Sequence, residues 1–155
     1  MPCIWGQHNN SQLFIPVAVI DALKVNVASV LGPPTTSIPK LYQALVDTGA
    51  QRTMVSASLA IAEQLNPIGK MPLRGIGPTP TWHTAYLFHV AFIFGFAPGG
   101  LTPSGPYQAT LHTLSTPIHG AEIASGGGFD VLLGMDVIST GSLKVEGNQT
   151  FSWSF

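Results

Sequence analysis

The stretch "ALVDTGAQRTMVS", residues 44–56, runs from apolar residues through one carboxylate, Asp47, to a glycine two positions later. Charged residues make up only 8% of the chain, and seven of its 155 residues are Asp or Glu. Burying a carboxylate costs several kcal/mol unless the group is paired, hydrogen-bonded or neutralised. An acid at the end of an apolar run is therefore either satisfied locally or retained for chemistry.

The composition around this stretch is typical of a folded chain built mostly from strands. Hydrophobic residues reach 45% and the mean hydropathy is +0.33, which argues against disorder. Gly (17) and Pro (13) are abundant, and Val, Ile, Thr and Phe recur in short runs, as in a β protein with many turns. The length suits a single domain over residues 1–155.

Charge, cysteine content and apolar run length exclude several functional classes. The net charge is −1 and the six Lys and Arg residues form no basic cluster, so no nucleic-acid partner is expected. The single cysteine, Cys3, cannot form an internal disulfide, and the five histidines lack ligand spacing, so no metal or other cofactor is expected. No signal peptide is visible, and the longest apolar stretch (85–97) is shorter than the roughly 20 residues that span a bilayer. We therefore expect a soluble, cytoplasmic protein without a membrane partner.

Hydrophobic periodicity predicts the order of elements along the chain. Residues 56–66 form the best helix candidate, with Ser56 as N-cap and with Leu59, Ala62 and Leu65 on one face. The other predicted elements are strands at 13–21, 24–30, 41–47 and 109–118, a hairpin over 70–94, a loop over 95–108, a buried strand and a helical turn (135–139) within 125–140, and a closing hairpin over 141–155.

Two apolar segments end in glycine motifs, "DTGA" at 47–50 and "LLG" at 132–134. In this order they resemble the retropepsin-like aspartic proteases, which include retroviral proteases and their cellular and bacterial relatives. In that family an Asp-Thr-Gly-Ala turn ends a strand, and a downstream apolar-apolar-Gly strand crosses behind it. The segment "RGIGPTP" (74–80) lies between the motifs, where the family has its flap. The resemblance covers residues 13–155, although only the two motifs are specific.

The resemblance implies an all-β, retropepsin-like acid-protease half-barrel with one short helix and a helical turn, acting as a dimer. It also implies an aspartic endopeptidase, that is, a hydrolase of peptide bonds. Such proteases need two carboxylates about 3 Å apart that share one proton, so that one activates water while the other protonates the substrate carbonyl. Asp47 would be the catalytic residue, and Thr48 and Gly49 would shape the site around it.

The chain contains a single copy of the catalytic motif. Asp21, Asp130 and Asp136 lack the Thr-Gly that follows Asp47. The second catalytic aspartate is therefore expected from another subunit, in a homodimer whose site lies on its two-fold axis. We expect a peptide or protein substrate to bind as an added strand under the flap. The residues expected to contact the substrate are Ala50, Gly75, Ile76, Gly77 and Leu132.

Several alternatives to this interpretation stay open. Asp47 could be a capping or turn aspartate, which the paired motifs make the less favoured interpretation. The chain could also be a non-catalytic module of protease fold that binds peptides or dimerises, or a structural partner in a larger assembly. Asp136, which follows the second motif, is expected to cap the helical turn or to pair with Arg52 rather than to act in catalysis.

The last five residues, "FSWSF", predict a strand with Phe151, Trp153 and Phe155 on one face. Because an exposed apolar edge strand is usually covered, we expect residues 150–155 to pair with the other subunit and to bury these aromatics at or beside the interface. Alternatively, the strand closes a hairpin with residues 142–146 and packs on its own core. Both arrangements hold if the outer edge of the hairpin faces the partner.

Overall fold

The computed structural model describes residues 3–8, 12–24, 39–75, 78–94 and 110–155. Within these ranges the chain forms eleven strands and two short helices, in agreement with the predicted all-β class, and neither helix is long and apolar enough to cross a membrane. The elements are β1 (Cys3–Gln7), β2 (Leu13–Asp21), β3 (Tyr42–Val46), β4 (Met54–Ser56), α1 (Ala57–Ala62), β5 (Pro67–Leu73), β6 (Thr81–Phe94), β7 (Thr110–Thr113), β8 (Ile118–Ile123), β9 (Val131–Leu133), α2 (Met135–Ile138), β10 (Ser142–Val145) and β11 (Thr150–Ser154).

Most predicted elements form, with a few differences and two segments that cannot be compared. The predicted strand over 109–118 is two strands, because β7 ends at Thr113 and β8 begins at Ile118. The sequence patterns predict neither β1 nor the short strand β4, which lies between the predicted strand at 41–47 and the predicted helix at 56–66. The predicted strand at 24–30, after Lys24, and the predicted loop over 95–108 lie outside the described residues.

Eight strands form one sheet in the order β2-β3-β9-β4-β8-β6-β5, with β7 paired to β6. A further pairing between β2 and β6 closes six of these strands into a ring. The pairings of β3 with β9 and of β4 with β8 are parallel, whereas the others in the sheet are antiparallel. Because Val46 and Leu133 pair at the ends of β3 and β9, the two glycine motifs that follow these strands are neighbours.

The ring encloses an apolar core to which the strands contribute alternate residues. Side chains on one face of a strand recur every second position, and most large buried residues of β2 and β6 follow this period. Ala18, Ala85, Ala91 and Ile93 are buried on the other face. Each fully buried side chain of this size contributes about 1.5–3 kcal/mol relative to an exposed one. The alternating core residues of the two strands are Leu13, Ile15, Val17 and Val19 in β2, and Phe88, Val90 and Phe92 in β6.

Helix α1 begins after Ser56, as predicted, because the Ser56 Oγ accepts a hydrogen bond from the Leu59 amide at 3.2 Å. The helix ends at Ala62, before the predicted end at residue 66. Just beyond it Gln64 has φ = 51°, a left-handed conformation that a right-handed helix cannot continue. Leu59 is buried as predicted, whereas Ala62 is exposed and Ala60 is buried instead.

Strand β11 lies at the centre of a second, three-stranded sheet with the order β1-β11-β10. The hairpin with β10 confirms the alternative in which the strand pairs within its own chain, and β1 occupies the other edge. The rings of Trp153 and Phe92 are 5.2 Å apart, and Phe151 and Trp153 are buried in the core of the chain. The expectation that residues 150–155 pair with the other subunit is therefore wrong for β11, whose two edges are both occupied within the chain, and the position of these aromatics beside an interface stays a prediction. The outer edge of β10 has no partner among the described strands.

Candidate active site

Asp47 follows β3 directly and begins a tight turn. The Asp47 amide donates to the Leu133 carbonyl at 3.0 Å, which ties the start of the turn to β9. The Ala50 amide donates to the Asp47 carbonyl at 3.2 Å, and the Gly49 amide donates to the Asp47 Oδ1 at 2.8 Å. The carboxylate is half-buried, and in the described part of the chain no group donates to its Oδ2. One carboxylate oxygen is thus held by the turn and the other remains available.

Gly134, the glycine of the second motif, allows the end of β9 to pass directly behind this turn. A Cβ on Gly134 would lie 2.5 Å from the Arg52 carbonyl carbon, which is closer than real Cβ atoms approach. The Met135 amide donates to the Ala50 carbonyl at 2.8 Å and so joins the two motifs through their backbones. Any larger residue at position 134 would have to push the two segments apart.

Thr53 and Asp136 form a buried polar link behind the turn. The Thr53 hydroxyl donates to the Asp136 Oδ1 at 2.7 Å, and the Thr53 amide donates to the Asp136 Oδ2 at 3.0 Å. The same hydroxyl accepts a hydrogen bond from the Gly134 amide at 3.0 Å, and Thr53 is fully buried. This link connects the chain after the first motif to the helix after the second, and it orients both.

The link corrects the expectation for Asp136. Its carboxylate makes no cap hydrogen bond at the start of α2, where Gly134 is the N-cap. Over the described residues no ion pair joins Asp136 to Arg52 either. Asp136 binds Thr53 instead. Thr53 itself was missed, because a threonine three residues beyond Ala50 has no distinctive local pattern.

A groove of about 730 Å³ lies between the Asp47 turn and the β5–β6 hairpin. Gly49 and Ala50 form part of its lining, so the groove begins beside the carboxylate that Gly49 holds. The lining residues are Gly49, Ala50, Gln51, Arg52, Met54, Pro72, Leu73, Arg74 and Pro80. Asp47 itself is not among these residues, and the lining combines small or apolar side chains with Gln51, Arg52 and Arg74.

The other residues expected to contact substrate are distributed differently. Gly75 is exposed and directly follows Arg74, which lines the groove. Leu132 is half-buried in β9, where it pairs with Leu45 and Met54, and it is not part of the groove lining. Ile76 and Gly77 lie outside the described residues.

Two tyrosine–glutamate pairs lie outside the groove lining. The Tyr86 hydroxyl donates to the Glu122 Oε2 at 2.5 Å, and the Tyr42 hydroxyl donates to the Glu63 Oε1. Burial, followed by the hydrogen bond to Glu122, raises the pKa of Tyr86 to about 12. The same two causes raise the pKa of Tyr42 well above its ordinary value. Both phenols therefore stay protonated and act as structural donors. Within the described ranges no cluster of His, Cys, Asp or Glu could hold a metal ion.

Comparison of the sequence with protein-family models found no match, and comparison with curated proteins found none either. Comparison of the fold found a solved structure, a retropepsin-like aspartic protease from Rickettsia conorii, with a TM-score of 0.51. The match covers 97% of this chain and 89% of that chain at 13% sequence identity. At this identity the similarity concerns the fold alone. The chain therefore has a mostly β fold similar to that of a retropepsin-like aspartic protease, as the two motifs predicted.

Proposed function

We propose that this protein is an aspartic endopeptidase that acts as a homodimer, with Asp47 of each chain forming the catalytic dyad. The observation that carries the proposal is the Asp47 carboxylate, which Gly49 holds through Oδ1 beside a groove while Oδ2 has no donor in the described structure. A carboxylate that only stabilises a turn does not need a groove beside it. The similarity in fold to a retropepsin-like aspartic protease supports the same reaction class.

In this mechanism the two Asp47 carboxylates share one proton, because two like charges so close cannot both ionise. The ionised carboxylate takes a proton from a water molecule, and the water oxygen forms a bond to the peptide carbonyl carbon. The protonated carboxylate gives its proton to the carbonyl oxygen. Collapse of the tetrahedral intermediate breaks the C–N bond, and the amine nitrogen receives the proton that the first carboxylate had taken. One hydroxyl of the intermediate returns its proton to the second carboxylate, so that the acid product forms and the dyad again holds one proton. The Gly49 amide keeps each carboxylate oriented throughout.

The dimer interface in this proposal lies beside Thr48. Thr48 is exposed and lines a second hollow of about 230 Å³, which also includes Val46, Leu143 and Val145. Val145 is 56% exposed on β10, whose outer edge has no partner among the described strands. An exposed apolar edge next to the catalytic turn is a suitable contact for a second copy, because pairing there would bring the two Asp47 turns together.

The substrate in this proposal lies extended in the groove under the β5–β6 hairpin. Pro72, Leu73 and Pro80 provide an apolar wall on the hairpin side, and Ala50 keeps the opposite side small. Residues 74–80 would close over the peptide and shield the dyad and its one attacking water molecule from bulk solvent. Gly75, Ile76, Gly77 and Leu132 remain predicted substrate contacts.

The test is cleavage of a mixed peptide pool by the purified protein, with products identified by mass spectrometry. Asp47→Asn should abolish cleavage while the fold and the mass in solution stay unchanged, because the amide is nearly isosteric but cannot accept the proton of water. The matched control is Asp130→Asn, which changes an acid whose carboxylate, in the described part of the chain, accepts a hydrogen bond from the Gln43 amide alone, at 3.4 Å. A pepstatin-type inhibitor should block the wild-type activity. Cleavage that survives Asp47→Asn would rule out the mechanism, and peptide binding without any cleavage would favour the non-catalytic module.

A further inference from the structure

We propose that the groove selects peptides carrying an acidic side chain, which Arg52 and Arg74 bind. This inference rests on the proposed function, since it names the substrate class of the same site. The chain has six Lys and Arg residues, and Arg52 and Arg74 are its only arginines. Both line the groove, while the lysines do not. Because the chain has so few charges, the two arginines are the main electrostatic feature of the groove.

The two arginines belong to different walls of the groove. Arg52 lies on the segment that leaves the Asp47 turn, two residues after Ala50, and Arg74 follows β5 on the hairpin side. Both residues are exposed, and in the described structure neither forms an ion pair or a side-chain hydrogen bond. A peptide lying between these walls would therefore meet one guanidinium from each side.

The acids of the chain do not neutralise these arginines. Six carboxylates have other partners: Asp21 binds Asn66, Glu63 binds Tyr42, Glu122 binds Tyr86, Asp130 binds the Gln43 amide, Asp136 binds Thr53, and Glu146 binds Lys144. The seventh, Asp47, is held by the Gly49 amide. The positive charge in the groove is thus left for a ligand.

Arginine is suited to this role because its planar guanidinium binds a carboxylate through two parallel hydrogen bonds and loses little hydration. The remaining lining is small, apolar or amide-bearing and supplies no charge, so an acidic side chain would be held by the arginines alone. The dyad carries one negative charge, which disfavours an acid directly at the scissile bond. The two-fold axis of the proposed dimer duplicates the groove, so acids are expected to flank the scissile bond at a distance on either side.

The first test measures binding, separately from cleavage. Asp47→Asn protein is titrated into fluorescent extended peptides prepared in pairs that differ only by Glu or Gln, and anisotropy gives the affinities. The Glu peptides should bind about fivefold more tightly at low salt, and each of Arg52→Gln and Arg74→Gln should remove about half of that preference on a logarithmic scale. Added salt should weaken the preference. Lys70→Gln is the matched control, because it removes an exposed positive charge from β5 outside the groove lining.

The second test measures kcat/KM of the active enzyme for the same peptide pairs, and the Glu-to-Gln ratio should change with the arginine variants in the same way. If the wild-type protein cleaves nothing but its Asp47→Asn variant still prefers Glu peptides, the endopeptidase proposal fails and the charge selection stands. Equal affinity for Glu and Gln peptides, no peptide binding at all, or an equal loss with Lys70→Gln would each overturn the inference.

Discussion

Replacing Thr53 by valine should destabilise the protein by about 2–4 kcal/mol, because one buried hydroxyl satisfies two groups. It donates to the Asp136 carboxylate at 2.7 Å and accepts from the Gly134 amide at 3.0 Å. A hydrogen bond to a charged group contributes about 1.5–3 kcal/mol, and a buried amide left without an acceptor costs about 1–3 kcal/mol. The two terms do not add fully, since Asp136 is half-buried and keeps its bond from the Thr53 amide.

The free energy of unfolding is measured by urea titration at one fixed protein concentration, because dimerisation would make stability depend on concentration. For a chain of this length the thermal midpoint should fall by about 10 °C. Thr53→Ser keeps the hydroxyl and loses one methyl group, so it should cost only about 1 kcal/mol. The control is Thr140→Val, which removes an exposed hydroxyl that donates to the Val137 carbonyl at 2.7 Å and should change stability by less than about 0.5 kcal/mol.

A double-mutant cycle with Asp136→Ala isolates the pair itself. If the two side chains stabilise the fold through each other, the double variant should be more stable than the sum of the single losses by about 1–2 kcal/mol. Additive losses, or a Thr53→Val variant as stable as the Thr140→Val control, would show that this link does not hold the two motifs together. The proposed activity should also fall in Thr53→Val while the protein is still folded, because the Asp47 turn would lose its support.

Three further predictions concern the interface and the response to pH. Val145→Asp should give a folded, inactive protein that light scattering shows to be a monomer. The control Ile61→Asp, at a residue 78% exposed on α1, should leave the dimer intact, and a dimeric Val145→Asp would locate the interface elsewhere. The rate of peptide cleavage should be bell-shaped in pH and highest on the acidic side of neutrality, and a rate rising steadily into alkaline pH would indicate another nucleophile. Folding raises the pKa of Tyr86 from 10.0 to about 12, so the folded chain binds the phenol proton more tightly than the unfolded chain does. The free energy of unfolding should therefore fall as the pH rises from 10 to about 12, and it should fall less in Tyr86→Phe.

The parts of the fold that the sequence predicts well depend on local chemistry. The turn after β3 and the crossing behind it follow from two short motifs, and in the second of them Gly134 permits an approach to Arg52 that a side chain would block. The N-cap at Ser56 is likewise a local hydrogen bond. The end of α1 is not predicted, because it depends on the left-handed backbone at Gln64. Glutamine is not a residue type that indicates this conformation in a sequence.

Two of the elements that sequence patterns miss or misplace, β1 and β8, contain a glycine that a distant aromatic ring requires. In β1 a Cβ on Gly6 would overlap the ring of Phe151, and in β8 a Cβ on Gly120 would overlap the ring of Phe88. Glycine lowers strand propensity and interrupts the apolar alternation, so neither segment has a strand pattern of its own. Their pairing is decided by packing between residues far apart in sequence, which a local pattern cannot contain.

Two acids in this chain end apolar strands, and their different surroundings show why position alone could not assign the site. Asp21 ends β2 and is 3% exposed; its oxygens accept hydrogen bonds from the Leu23 amide at 2.8 Å and from the Asn66 side chain at 2.7 Å. It is an acid satisfied locally. Asp47 follows β3 in the same way, but in the described structure only Gly49 donates to its carboxylate. The residues after each acid, rather than the apolar run before it, distinguish the two. After Asp47, Thr-Gly turns the chain so that the Gly49 amide holds one carboxylate oxygen, and no group in the described structure donates to the other. Since one chain supplies only one such carboxylate, the chemistry that we propose requires the second copy.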